Sequence, residues 1–347
     1  MSFSVIGGIN GLTKIGDIYM IKTVMPFPLR ENNCFLAESE DGWCVIDTGV
    51  NIQQNKEIWQ KALKYLGISF KHIKNILLTH YHHDHMGLAG WMQELSGAKV
   101  LLPKEDIITF TTYITGNYYE EVRQDCFQAG WSDMLTHDLV ADVHSIEILV
   151  RPFPEITELP DNYTFDFGGT TFTCLPLPGH TDGHVVLYSR QKRLLLSGDN
   201  IVPHTILHLT DWPHTRLTDP LNTHLAGLDV LSGFPVVSII PGHGDVFNNL
   251  EERIGIIKKH HMRRKEVVYA GIKDGFTAWD LTAALFKESN YIHIKRLLLA
   301  ETLAYLEALN EEGLVKKDIC GNSFVYKRIS TDLNFNFMDK LAVSNPS

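Results

Sequence analysis

The chain has 347 residues, 44% of them hydrophobic and 21% charged, with a formal net charge of -10 at pH 7. That length accommodates more than one domain and a sizeable core, and the composition is that of an ordinary globular protein. The acidic balance argues against broad electrostatic attraction to nucleic acid or an anionic membrane, no stretch is long and apolar enough to span a bilayer, and five scattered cysteines without a Cys-x-x-Cys pair read as reduced thiols of a cytosolic protein.

The opening Met1–Gly8 lacks a basic segment followed by a long apolar run, so no signal peptide is expected and the location expected is cytoplasmic. Residues 17–48 alternate short apolar runs with turns and predict a β-meander: strands at Asp17–Ile21, at Asn33–Ala37 and, after the turn at Glu40–Gly42, at Trp43–Asp47. Ile58, Trp59, Ala62, Leu63 and Leu66 then recur at helical spacing, and Gly67 is placed to cap that helix. A strand at 75–79 leads into the densest polar cluster of the chain, a short helix is expected over Gly87–Leu95, and Lys99–Pro103 is the next strand. Residues 104–160 break the rhythm as a long aromatic insertion carrying Tyr113, Tyr118, Tyr119, Phe127 and Trp131; it suits a lid, a substrate wall, a homodimer contact, or simply a satellite cluster packed on the domain. Gly168-Gly169 signals a hairpin between strands at 163–167 and 171–176. Strands at 185–189 and 193–199 follow, then a helix with Asp219 as N-cap and Pro220 in its first turn, closed by Gly233, and a buried strand at 236–240. After 248 the composition turns helical: one helix over 249–272, another from Thr277 to Leu285, a third over 294–312, then a hairpin turning at Gly321-Asn322. Helix, turn, helix, hairpin is the outline of a winged-helix module. The domains expected are therefore 1–248 and 249–330, with 331–347 as a loosely held tail.

The cluster is Thr79-His80-Tyr81-His82-His83-Asp84-His85-Met86-Gly87, between a buried strand and a helix. Imidazole and carboxylate are the donors that zinc and other borderline divalent metals prefer. One cation cannot easily take His80, His82, Asp84 and His85 from so short a loop, whereas two adjacent metals can share them. Three later segments each end a strand with one more donor: Gly179-His180, Gly198-Asp199 and Gly242-His243-Gly244. Loops at strand ends of one core can converge on a single site.

Together these motifs, with Asp47-Thr48-Gly49 before them, resemble the metallo-β-lactamase fold hydrolase superfamily over roughly residues 15–248, in the family's order. The resemblance implies an α/β protein, a four-layer αββα sandwich, with two divalent metals at one edge; zinc is the first expectation, with iron and manganese as alternatives. It implies that one metal takes His80, His82 and His180, that the other takes Asp84, His85 and His243, and that Asp199 bridges them. Asp47 is expected to orient ligands from behind by hydrogen bonds. A hydroxide held between two such metals would attack the substrate, aligned by Asp84. The C-terminal helices resemble, more loosely, the winged-helix-like appendage of one branch.

The departures from sister groups narrow the reaction. Di-iron oxygen- or nitric-oxide-reducing members carry Glu where His82 stands, and true β-lactamases lack the bridging Asp199. The first expectation is hydrolysis of a small-molecule carbonyl ester of thioester or lactone type. The alternatives are a metal-dependent RNA nuclease or phosphodiesterase, and iron-dependent persulfide oxidation. Nucleic acid is not an expected partner, because the helix after Leu297 carries Glu301, Glu307, Glu311 and Glu312 and no cation. His184 reads as a structural histidine and the basic run 258–265 as a solvated face. His83 reads as lying behind the ligands or in solvent, and one of His204, His208 and His214 is a candidate for substrate contact.

Overall fold

In the computed structural model the described residues are 3–5, 11–26, 30–115, 118–209, 215–287 and 289–329, so the expected tail 331–347 and His214 lie outside them. The side chains of Tyr113 and Tyr118 also lie outside that description.

The first sheet follows chain order: β1 (Phe3–Val5), β2 (Leu12–Ile15), β3 (Ile18–Val24), β4 (Glu31–Ser39), β5 (Gly42–Ile46), β6 (Ile73–Leu77), β7 (Lys99–Pro103) and β8 (Ile156–Leu159). Strands β1 to β5 are an antiparallel meander, with Tyr19 opposite Leu36 and Phe35 opposite Ile46, while β5 to β8 run parallel. Parallel neighbours need crossovers. These are α1 (Gln53–Tyr65), then a loop holding α2 (His83–Met86) and α3 (Ala89–Ser96), then α4 (Lys104–Thr115), α5 (Tyr118–Ala129) and α6 (Asp133–Glu147). The second sheet holds β9 (Thr164–Asp166), β10 (Thr171–Pro176), β11 (Val185–Ser189), β12 (Leu194–Gly198) and β13 (Ser238–Pro241) in the order β13-β12-β11-β10-β9, with only β12 and β13 parallel. Their crossover is α7 (Pro220–Ser232), which starts where Asp219 accepts from the Asn222 N–H at 3.0 Å.

The two sheets face each other across one core, in which Ile18, Phe35, Ile46 and Leu77 meet Phe167, Phe172, Leu187 and Leu196. Alternation in the meander strands sends the other set outward, where Leu36, Val45 and Ile76 pack on Trp59 and Leu63 of α1. On the far side Val186, Leu195 and Ile239 pack on Leu228 of α7 and on Ile254 and Ile257 of α8 (Leu250–Gly271). Helix, sheet, sheet, helix is the expected four-layer arrangement.

The chain continues as α9 (Ala278–Leu285), α10 (Ile292–Glu311) and a hairpin of β14 (Val315–Cys320) and β15 (Ser323–Arg328). Thr277 and Asp280 close a capping box at the start of α9. No helix among the described residues is long and apolar enough to cross a membrane.

Three expectations change. The insertion's last residues form β8, which pairs with β7 as part of the main sheet; a four-residue strand with a central Glu gives little period to read. The expected helix at Gly87–Leu95 begins only at Ala89, and α2 lies inside the ligand loop itself. The basic run 258–265 is a solvated face only in part: Lys259 and Arg263 are exposed, while His261 and Lys265 turn inward. Ile254, Ile257, His261, Lys265 and Tyr269 form one buried stripe along α8, and Lys265, 1% exposed, reaches Glu312 at 2.6 Å. The helix is clamped from two sides, so its period carries polar residues inward with the apolar ones.

Candidate metal centre

All seven expected donors meet at one edge of the sandwich, each just beyond the end of β6, β10, β12 or β13. They form two adjoining groups, His80 with His82 and His180, and Asp84 with His85, Asp199 and His243; within each group the donor atoms lie within 4.8 Å of one another. One Asp199 oxygen, Oδ2, is 3.5 Å from His180 Nε2 and 3.3 Å from His243 Nε2, so this carboxylate stands between the groups. The other, Oδ1, is 3.3 Å from His85 Nε2, and Asp84 Oδ2 is 3.3 Å from His243 Nε2.

The far nitrogen of each of four histidines is held by an acceptor. His85 Nδ1 meets Asp47 Oδ2 at 2.8 Å, His243 Nδ1 meets the Glu31 carbonyl at 2.8 Å, and His180 Nδ1 meets the His208 carbonyl at 2.9 Å. The Thr79 hydroxyl donates to Asp47 Oδ2 at 2.8 Å and so accepts from His80 Nδ1 at 3.0 Å. With Nδ1 so held, the neutral form of each imidazole is the tautomer whose unprotonated Nε2 turns inward, the usual support of metal-binding histidines. The inward Nε2 atoms of His85, His180 and His243 and the Asp199 Oδ1 are buried without a hydrogen-bond partner.

The backbone serves the same end. Asp47 sits at φ 56, a left-handed conformation that Asp tolerates better than most residues. Its Oδ1 accepts from the Thr79 N–H at 2.8 Å. Thr48 holds the His85 carbonyl through its N–H at 2.7 Å and its hydroxyl at 2.9 Å. A Cβ on Gly242 would lie 2.3 Å from Asp199 Oδ1, so only glycine lets that carboxylate into the cluster.

Electrostatics divide the groups. Burial, reinforced by neighbouring imidazoles, holds His80 and His82 well below the usual histidine range, and burial lowers His180 as well. Burial also opposes charge on His85 and His243, but the Asp199 and Asp84 carboxylates outweigh it, holding His85 well up and raising His243 to about 10. Conversely Asp84 and Asp199, although buried, are held low by His85 and His243. Three carboxylates, Asp47, Asp84 and Asp199, are thus buried in one place. Buried charge of one sign is stable only when paired or metal-bound. Inward lone pairs, excess carboxylate and an all-nitrogen-and-oxygen donor set fit two divalent cations.

The weaker sequence candidates separate. His184 is fully buried and accepts from the Asp199 N–H at 3.1 Å, so it holds the Asp199 backbone. The His208 ring lies 4.5 Å from His180 and 5.7 Å from His82, whereas His204 is exposed. His83 is half-buried in α2. Trp131 of the insertion packs in a cluster with the C-terminal helices and stacks edge-on with Trp279 at 5.5 Å.

Sequence reasoning missed Asp106, which sits at the start of α4 and accepts hydrogen bonds from both the His80–His82 loop and the His180 loop. Burial pushes its carboxyl up to about 8, against the donors from Gly183 and Thr181. It missed Asn33 too, whose side chain donates to the carbonyls of Pro241 at 2.9 Å and Gly244 at 2.8 Å and so anchors the His243 loop. Neither residue has a spacing signal; each becomes visible only once distant loops are neighbours.

A family model described as the metallo-beta-lactamase superfamily matches residues 28–243. Among curated proteins, the "Probable metallo-hydrolase YqjP" of Bacillus subtilis is 22% identical, over 90% of this chain and 98% of its own length. The "Thioesterase pkgB" of Emericella nidulans is 23% identical over 70% of this chain and 54% of its own length. Among solved structures, a metallo-beta-lactamase family protein of Thermus thermophilus superposes with a TM-score of 0.79 at 28% identity, covering 90% of this chain and 99% of that one.

Proposed function

The chain belongs to the metallo-beta-lactamase superfamily and is a metallohydrolase, and from that premise we propose that it cleaves a small carbonyl ester of thioester or lactone type at a centre of two divalent metals. The observation that carries this reading is the Asp199 carboxylate standing between two groups of convergent donors.

We assign His80, His82 and His180 to one metal, Asp84, His85 and His243 to the other, and Asp199 to both. When bound, such a pair would supply Lewis acidity and a water acidified to near neutral pH. Asp47 and Thr79 hold His80 and His85 in their inward tautomers, and the Glu31 and His208 carbonyls do the same for His243 and His180. Asp84 is the buried carboxylate we assign to align the attacking water. No Ser or Cys nucleophile is invoked, in keeping with the buried cysteines and the raised thiols of Cys34, Cys44, Cys126 and Cys174. The carbonyl-ester choice is supported by relatives named as thioesterases. The nuclease alternative gains little, because Glu301 and Glu307 of α10 already pair with Arg264 and Lys317. We further read 249–330 as a winged-helix-like domain and place the protein in the cytoplasm.

The test is elemental analysis of purified protein combined with turnover of generic thioester, lactone and bis-aryl phosphodiester substrates, with and without added zinc or manganese. About two metals per chain with chelator-sensitive thioester or lactone turnover is the expected result. Turnover of the phosphodiester alone would replace the proposal by the phosphodiesterase reading, and iron without any hydrolysis would replace it by redox chemistry.

A further inference from the structure

The three-histidine group is assembled from two loops with no direct covalent relation: His80 and His82 follow β6, and His180 follows β10 in the other sheet. One side chain joins them. Asp106, 0% exposed in the first turn of α4, takes the Tyr81 N–H on Oδ2 at 3.0 Å, the Thr181 hydroxyl on the same oxygen at 3.0 Å, and the Gly183 N–H on Oδ1 at 2.7 Å. Tyr81 lies between His80 and His82, and Thr181 is next to His180. An acid in a first helical turn ordinarily serves its own helix terminus. Here its donors come from two other segments. An independent sign of the same contact is Gly183, where a Cβ would lie 2.7 Å from both the Asp106 nitrogen and its Oδ1, so a glycine is required for the approach.

We propose that Asp106 is a positioning residue that clamps the His80–Tyr81–His82 loop to the His180–Gly183 loop and so sets the spacing of the three histidines. The helical insertion then has a role in the centre through its first turn, without touching a metal ligand. The clamp acts on one group only. The Asp84, His85, Asp199 and His243 group has supports of its own in Thr48, His184 and Asn33, while Asp47 reaches both groups, His85 directly and His80 through Thr79. The metal part of this inference rests on the two-metal reading above.

Asp106→Asn keeps the volume but turns an amide N–H₂ toward one of three donors, so at least one bond is lost and a donor faces a donor. In the full-length protein we expect competition with a chromophoric chelator to show one of two bound zinc ions weakened by about tenfold or more, the other unchanged. The cobalt-substituted protein should show altered visible bands for that one ion. Thr181→Val removes a single bond and should weaken the same ion by less. Hydrogen exchange on the metal-free protein provides a readout independent of metal: the Tyr81 and Gly183 amides should lose protection in Asp106→Asn while the strand amides of β6 keep theirs. Wild-type zinc affinities in both variants, or an equal weakening of both ions, would overturn the proposal. Should Asp106→Asn not fold, Thr181→Val decides it. If wild-type protein binds fewer than two metals yet the two amides still lose protection, the clamp stands and the two-metal reading falls; unchanged amides overturn the clamp itself.

Discussion

Asp47 shows how much one side chain can settle. Its two oxygens take the Thr79 N–H, the Thr79 hydroxyl and His85 Nδ1, so it fixes one histidine directly and a second, His80, through Thr79. Asp47→Asn is a clean test because Asn also tolerates the left-handed backbone at φ 56. The amide can present only one oxygen, and its N–H₂ opposite His85 Nδ1 favours the tautomer with the proton on Nε2. We expect metal affinity to fall by about 10- to 100-fold with little change in the melting temperature of the metal-free protein. An isothermal titration giving wild-type affinity would contradict that role. At the same scale Asp47 was legible from its Asp-Thr-Gly setting, while Asp106 was not: an acid three residues into a helix is unremarkable until the loops it joins are seen together.

Helix α8 belongs to two layers, and its buried polar stripe has a consequence for pH. His261 Nδ1 is 2.9 Å from the Tyr305 hydroxyl, which itself donates to Glu301 Oε1 at 3.1 Å, so His261 must be the donor and is buried in its neutral form. Burial, with help from His224 and His260, lowers it from 6.5 to about 3, and burial lowers His224 on α7 to about 4. Between those values and 6.5 the unfolded chain binds protons that the folded chain does not. Stability is therefore greatest above the unfolded value and declines as pH falls through that window, by about 1.4 kcal/mol per pH unit for each such proton. Urea unfolding of the metal-free protein at pH values from about 4.5 to about 7.5 should show this decline, and His261→Gln should make it shallower by one proton's worth. An unchanged slope would mean that His261 is protonated in the folded protein. Caps made the helix boundaries here readable, since Asp219, Gly233 and Thr277 mark ends that the structure repeats to within a residue. The inward turn of Lys265 and His261 was not readable, because a charge run carries no sign of a second layer packing over it.

Across the whole molecule, the insertion and the C-terminal helices share one apolar cluster, in which Val122, Cys126, Trp131 and Leu139 meet Val268, Tyr269, Leu281, Leu299 and Tyr305. The cluster is joined to the sandwich through α7 and α8, whose residues Leu225 and Ile257 pack on the second sheet. The C-terminal helices therefore should not melt apart from the insertion. Trp131→Ala should cost about 3–5 kcal/mol and lower one calorimetric transition, without releasing a separate low-temperature step for the C-terminal helices. A distinct early transition would show that the two regions are energetically independent.

The sequence by itself marked seven candidate donors, their order and the strand ends that carry them, and the four layers followed from the family resemblance those motifs carry. Those features are local or periodic: ligand types at short spacing, apolar alternation, glycines and caps at fixed offsets. Only the tertiary structure decided that Asp106 and Asn33 hold ligand loops far from them in sequence, that β8 ends the insertion within the main sheet, and that Trp131 packs on the C-terminal helices. The physical reason is that a hydrogen bond or packed ring between distant segments leaves no period in the chain. Its energy depends on a geometry that exists only once both sheets have closed around their common core.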